Sequence, residues 1–270
     1  MGIKIGTTDI GKVYVGTTEI AKIYAGTQLV YSASPTPQPT LSNKIYGHTR
    51  FANNAVTIKV NGTSYSVTSD ADKYFELDCS NISITSLNQC IYNQSSVVAD
   101  VTFDIDTSNC TNFYSLVASC RNVTSIDCSK MDTSKATNLS SMFYDNRAAT
   151  TIIPPAGGFV HASGMTNIQF MFFNCYLVTS LDLSDMGDCD NVVSMNGMFR
   201  GCSALQTLDL SGFYIDSANI SMDNVFGGCS ALASIKVTGC DASVVTALLS
   251  MLTASSLSFV QSGDYLVKQS

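Results

Sequence analysis

A rhythm of 27 residues runs through the second half of the chain and limits what it can fold into. Met171-Phe172-Phe173-Asn174-Cys175, Met198-Phe199-Arg200-Gly201-Cys202 and Val225-Phe226-Gly227-Gly228-Cys229 set their cysteines 27 residues apart at both steps. A short strand-like run starts six residues after each cysteine: Leu181-Asp182-Leu183, Leu208-Asp209-Leu210, Ile235-Lys236-Val237. A unit this short cannot bury a core alone, so its copies must stack. A fixed period of about 20 to 29 residues around an L-x-L core predicts a leucine-rich repeat solenoid. The expected class is an α+β solenoid with short parallel strands, preceded by small antiparallel β modules.

Earlier copies are less regular. Leu87 and Cys90 lead to Phe103-Asp104-Ile105 after a delay, and Val117 and Cys120 lead to Ile126-Asp127-Cys128. Met142-Phe143 is followed by Asn146 in the cysteine register and by Ile152-Ile153-Pro154. Each Met-Phe segment is expected to form a short helix or helical turn, with Phe143, Phe172, Phe199 and Phe226 stacked as a spine of the core. Cys120, Cys175, Cys202 and Cys229 share one register, where small apolar side chains stack. The ten cysteines hold no C-x-x-C pair. Buried thiols are therefore expected ahead of disulfides or a metal site.

The rest of the chain divides around this array. In residues 1–31, Gly6-Thr7-Thr8-Asp9-Ile10-Gly11-Lys12-Val13-Tyr14-Val15 recurs as Gly16-Thr17-Thr18-Glu19-Ile20-Ala21-Lys22-Ile23-Tyr24-Ala25, with a truncated copy to Tyr31. This reads as three or four short strands in a meander. Too small to bury a core, it is expected to dock on a larger assembly or on its own copies through Ile10, Tyr14, Ile20, Tyr24 and Tyr31. Residues 32–42 hold three of the five prolines, which favours an extended spacer of roughly 30 Å at ~3.1 Å per residue. Residues 43–83 read as a small β cap, with Asn61-Gly62 as a hairpin turn between two alternating runs. Residues 84–240 carry the repeats. Residues 241–270 read as a C-terminal cap: a helix opened by Asp241, then two short strands.

The units Cys175-Tyr-Leu-Val-Thr-Ser-Leu-Asp-Leu-Ser184 and Met198-Phe-Arg-Gly-Cys-Ser-Ala-Leu-Gln-Thr-Leu-Asp-Leu-Ser211 resemble the BspA-like leucine-rich repeat surface proteins. That family repeats a Met-Phe, Gly-Cys, Leu-x-x-Leu-Asp-Leu-Ser unit. The resemblance covers about residues 84–240 and departs at 137–165. It implies a non-enzymatic protein that binds proteins or glycans at cell surfaces. The Gly-Thr-Thr repeat is similar to short β modules found ahead of linkers in proteins of gut bacteria and their phages.

Bulk properties narrow the function classes. A net charge of −7 and few basic residues argue against nucleic acid and against an anionic membrane surface. No apolar run approaches the ~20 residues of a membrane span. The two histidines, His48 and His161, build no evident catalytic set, and Gly157-Gly158 and Gly227-Gly228 lack the Lys-Ser/Thr of a phosphate loop. No cofactor, metal or catalytic residue is expected. Met1-Gly2-Ile3-Lys4-Ile5-Gly6 lacks the apolar stretch of a secretory signal.

Two places are candidates for ligand binding. One is the outward row of the strands, with Asp127, Ser180, Asp182, Ser184, Thr207, Asp209 and Ser211. Each Asp there either ties its own repeat or lines a polar groove. The other is the break in rhythm at Pro154 to Met165, with Pro155, Phe159 and His161 as loop candidates. The function expected is a bacteriophage attachment or fibre protein on the virion surface. It would dock through its N-terminus and present the repeats to a host-surface glycan or protein. A bacterial cell-surface adhesin and a purely structural virion decoration are the alternatives.

Overall fold

A computed structural model describes residues 13–15, 18–20, 22–25, 28–32, 41–155, 158–159, 164–184, 186, 189, 191–214 and 220–269. The chain divides into two compact units, Met1–Thr40 and Leu41–Ser270. In the first, β1 (Val13–Val15) pairs antiparallel with β2 (Thr18–Ile20), and β3 (Lys22–Ala25) with β4 (Gln28–Ser32). These are two separate hairpins rather than one meander. Tyr14, Ile20, Tyr24 and Tyr31 lie on their strands. Ile10 and residues 33–40 of the expected spacer lie outside the described residues.

The second unit is a mostly β solenoid. β5 (Lys44–Thr49) lies between β8 (Tyr74–Asp78) and β10 (Val97–Asp104), antiparallel to both. β10 then pairs parallel with β12 (Val123–Asp127), and β12 with β13 (Thr151–Ile153). The hairpin β6 (Ala55–Val60) and β7 (Thr63–Thr68) turns at Asn61-Gly62, where both residues take positive φ. Asn-Gly supplies that conformation at low cost. Tyr74–Asp78 pairs with β5 and leaves β6–β7 as a two-stranded ribbon.

The regular repeats form the second sheet. β14 (Ser180–Asp182), β15 (Thr207–Asp209) and β16 (Ser234–Lys236) are parallel and in register. β18 (Tyr265–Lys268) adds antiparallel to β16, and β17 (Phe259–Ser262) closes the sheet. The parallel pair β9 (Ile91–Tyr92) and β11 (Val117–Ala118) is separate. α1 (Ala242–Ala254) covers the last coil with Val244, Val245, Leu248, Met251 and Leu252, and is the only helix among the described residues. Asp241 stands at its N-cap position, but its side chain makes no capping hydrogen bond.

The Met-Phe segments, expected as a short helix or helical turn, are turns and form no helix. What holds them is hydrogen bonding between coils. From the bridge residues Ser86, Asn112, Asn138, Asn167 and Ser194 onward, alternate N–H groups donate to the next coil. Leu139, Ser141, Phe143 and Asp145 donate to the carbonyls of Asn167, Gln169, Met171 and Phe173 at 3.0, 2.8, 2.9 and 2.7 Å. Four such bonds recur at each of the five steps, and all run from a coil's N–H to the following coil's C=O. Left-handed residues recur four apart within each coil: 89/93, 115/119, 141/145, 170/174, 197/201, 224/228. Glycine serves this conformation at 197, where an added Cβ would also meet the Phe170 ring at 2.7 Å.

The interior follows the repeat. Phe143–Phe172, Phe172–Phe199 and Phe199–Phe226 stack at 5.5, 5.8 and 5.5 Å between ring centroids. All ten cysteines are free thiols, and all but Cys240 are buried. They do more than fill space. The Sγ atoms of Cys175, Cys202 and Cys229 donate to the carbonyls of Phe143, Phe172 and Phe199 one coil back, at 3.2, 3.1 and 3.1 Å. Asn146 does the same work in the cysteine register. Its Nδ2 donates to Val117 O at 2.6 Å and Phe143 O at 3.1 Å, and its Oδ1 accepts from Cys120 N–H at 3.0 Å.

Outside the core, buried Asp145 bridges three coils. It accepts from Arg121 Nε at 2.7 Å, Arg147 Nε at 2.8 Å and Asn174 Nδ2 at 3.2 Å. Burial alone would raise its pKa, but hydrogen bonds from Arg147, Arg121 and Asn174 outweigh that and hold it below the usual carboxylate range.

Two stability predictions follow from these ties. Asn146→Ala strands a buried N–H and a buried carbonyl, each worth about 1–3 kcal/mol. It should lower the urea midpoint further than Cys202→Ala, which gives up one thiol bond and a small volume; equal losses would contradict the assigned role of Asn146. Asp145 has a folded pKa below its unfolded one. Its contribution is therefore present above about pH 4 and lost as pH falls through the folded value. Asp145→Asn should show a smaller drop in urea midpoint between about pH 5 and pH 3 than the unaltered chain.

Candidate functional site

The exposed side of the second sheet is a shallow trough. Register puts Asp182, Asp209, Lys236 and Tyr265 in one row across β14, β15, β16 and β18, beside Ser180, Thr207 and Ser234. A groove of about 350 Å³ is lined by these residues with Leu181 and Leu208. Lys236 Nζ lies 2.9 Å from Asp209 Oδ2, so the ammonium sits beside the neighbouring carboxylates Asp182 and Asp209. Burial would raise the pKa of Asp209, yet hydrogen bonds from Ser211 and Lys236 hold it low. Tyr265 keeps 44% of its surface exposed at the end of the row.

Every Asp of the candidate row also shapes its own coil. The Oδ1 atoms of Asp127, Asp182 and Asp209 accept from the N–H of Ser129, Ser184 and Ser211 at 2.8, 3.0 and 2.9 Å. Ser211 Oγ adds a bond to Asp209 Oδ1 at 2.5 Å. This is an Asx turn, which ends the strand and aims the chain around the next corner. The Asp-Leu-Ser unit is thus a strand-and-turn signal. Asp182 and Asp209 line the trough as well, while Asp127 does not.

The trough continues where the sheet breaks. β13 and β14 lie in successive coils but in separate sheets, although their coils remain bridged through Asn138 and Asn167. A cleft of about 270 Å³ fills the break, lined by Ser129, Ile153, Pro154, Pro155, Gly158, Asp182 and Ser184. Asp182 is common to cleft and groove. Pro154-Pro155 accounts for the break, because proline has no N–H for a ladder.

The loop candidates divide. Pro155 lines the cleft and is buried. Phe159 is only 1% exposed and packs edge-on against Phe143 and Phe172 at 6.2 and 6.4 Å. It is a core residue, not part of a binding loop: the extra length of this repeat returns an aromatic to the spine. His161 lies outside the described residues.

Sequence reasoning missed several residues. Tyr265 comes from a strand outside the repeats, and only its in-register pairing with Lys236 brings it to the row. Ile153, 39% exposed, and Pro154 line the cleft beside Pro155. On the first sheet, His48 Nδ1 lies 2.6 Å from Asp100 Oδ1, and Tyr74 lies 5.7 Å from His48 and 5.8 Å from Tyr46. Lys44–Glu76, at 2.8 Å, completes that patch. The pairing β8–β5–β10 assembles it from distant segments, so no local motif marks it.

The chemistry on offer is hydrogen bonding rather than thiol reactivity. Burial pushes the thiols of Cys120, Cys175 and Cys229 up to about 12 and that of Cys202 well above its ordinary value. Among the described residues, no cluster of three or more His, Cys, Asp or Glu is placed to hold a metal ion. No described helix is long and apolar enough to cross a membrane.

No curated protein and no solved structure matches the chain. One family model does, twice: DUF285, described as a Mycoplasma protein of unknown function, matches residues 65–186 and 158–264. The first match runs from the capping hairpin to the sheet break and the second from the break to the C-terminal strands, which together span more than half of the chain. The chain belongs to the DUF285 family.

Proposed function

We propose that this protein is a non-enzymatic recognition protein that presents its solenoid for binding host-surface carbohydrate or protein, in the manner of a leucine-rich repeat. The observation that carries this reading is the trough centred on Asp182. It lines up two carboxylates, one ammonium, several hydroxyls and one exposed phenol ring on rigid strands. Sugar hydroxyls suit carboxylates and Ser/Thr side chains, and the apolar face of a sugar suits a tyrosine ring. The resemblance of the repeats to BspA-like surface proteins points the same way. Thiols held protonated in the core fit a scaffold role for the cysteines.

In this reading the N-terminal hairpins fasten the protein to a larger assembly, and the proline-containing stretch spaces the solenoid from it. A bacteriophage fibre or attachment protein has that layout. The family description favours a second setting, a bacterial cell-surface adhesin, because it names a bacterium. The trough would serve either.

The test is binding of the full chain to an array of bacterial and animal surface saccharides. A saccharide hit should weaken at least tenfold, about 1.4 kcal/mol, in Asp182→Asn and in Tyr265→Ala, with little change in urea midpoint. Asp182 keeps one turn bond through its Asn counterpart, which makes this separation of binding from stability attainable. Undiminished binding in both variants, or no binding by the unaltered chain to saccharides or to intact bacterial cells, would sink the proposal.

A further inference from the structure

Along the turn wall the four hydrogen bonds of each step run one way, from a coil to the following one, so the two ends of that wall differ. At the first coil the carbonyls of Ser86 and Cys90 face outward along the axis. Both are taken: Asn61 N–H donates to Ser86 O and Lys59 N–H to Cys90 O, each at 2.8 Å. The strand β6 therefore stands in for a preceding coil. At the last coil the same register leaves the N–H groups of Met222, Asn224, Phe226 and Gly228 as donors, two residues apart. None of them donates to a described residue; Asn224 and Gly228 are exposed, while Met222 is half-buried and Phe226 buried, so the open donors are those of Asn224 and Gly228. α1 covers the interior beside them, and a helix side has no free carbonyls to offer. A groove of about 500 Å³ separates Met222 from Ala242, Ser243, Thr246, Ala247 and Ser250 of α1.

The complementary edge lies at the other end of the molecule. Because Lys59 N–H points to the first coil, its cross-strand partner Ser64 belongs to a non-hydrogen-bonded pair of the hairpin. The same holds for Thr57 and Ser66, since Thr57 N–H faces Gln94 Oε1 at 3.4 Å. The backbone groups of Ser64, Ser66 and Thr68 thus point away from β6, and their carbonyls recur every second residue. They bond no described residue, and all three residues are exposed. Natural edge strands are usually guarded by Lys, Pro or a bulge. β7 reads Thr-Ser-Tyr-Ser-Val-Thr, with no charge and no proline.

We infer that copies of this chain associate head to tail, the β7 edge of one copy adding as a strand to the N–H row on the last coil of another. The occupant is a second copy because β6 shows the match within one chain: its N–H groups at 59 and 61, two apart, meet coil carbonyls at 90 and 86, four apart, and the free β7 carbonyls two apart would likewise meet the exposed N–H groups of Asn224 and Gly228, four apart, at the other end of the solenoid. Such a heterologous contact repeats from copy to copy and extends the stack in a line or a ring. It is separate from any association through the N-terminal hairpins.

The test uses the full chain with a photoreactive benzophenone amino acid at position 66, irradiated at increasing concentration and read by peptide mass spectrometry. The expected result is an intermolecular crosslink from position 66 to residues 222–230 of a second copy, at least tenfold reduced when Ser64→Pro is added. Proline is tolerated at an outward position of an edge strand, so the thermal midpoint of Ser64→Pro should hold. Absence of that crosslink overturns the inference. So does capture only by residues 1–40 or by a second β7, or a crosslink that Ser64→Pro leaves intact.

Discussion

One-way hydrogen bonding along the turn wall of successive coils is the constraint on which the solenoid depends. A parallel β ladder sends N–H and C=O alternately to both neighbours. Here alternate N–H groups of every coil go forward to the next. That geometry requires left-handed residues at fixed places, and the chain meets it with Gly197, Gly201, Gly228, Asn93, Asn174, Asn224 and small polar residues. It also leaves carbonyls inside the coil needing another donor. The cysteine register answers that need with a thiol, and Asn146 answers it with an amide.

With continuity carried by that wall, the opposite wall is free to change. The sheet stops after Ile153 and restarts at Ser180 without the solenoid coming apart, because the bridge from Asn138 to Asn167 persists and Phe159 fills the spine at the same place. Scaffold and proposed recognition surface are therefore on different sides of one coil. Substitution on the trough side touches Asx turns and rims. Substitution on the turn side touches hydrogen bonds that every coil shares.

Much of this was legible in the residue pattern. The 27-residue spacing, the phenylalanine spine, the buried thiols, the Asn61-Gly62 hairpin and α1 all rest on local periodicity, which a sequence carries directly. The Met-Phe segments could be read only as a short helix or helical turn, because Met, Phe and Ala suit both, and only the sign of φ at residues such as Phe170 and Asn174 selects the turn. Phe159 looked like a loop residue since its neighbours are Pro, Gly and Ala, yet one buried aromatic ring is worth about 1.5–3 kcal/mol and draws the loop inward. Tyr265 and the His48–Tyr74 patch were invisible for a different reason. Non-local pairing creates them, and no repeat unit contains them.

The composition now bears on how such a molecule recognises anything. Only 13% of its residues are charged, and the carboxylates at the trough are partly answered by Lys236. Long-range steering is weak for such a surface, since it needs clustered charge of one sign. Discrimination must come at contact, from the direction of hydrogen bonds and the fit of one aromatic ring. The same holds at the ends, where a row of N–H groups meets only what brings carbonyls at a two-residue spacing. A rigid wall of directional bonds makes that kind of selectivity available along its sides and at its tips, with little help from net charge.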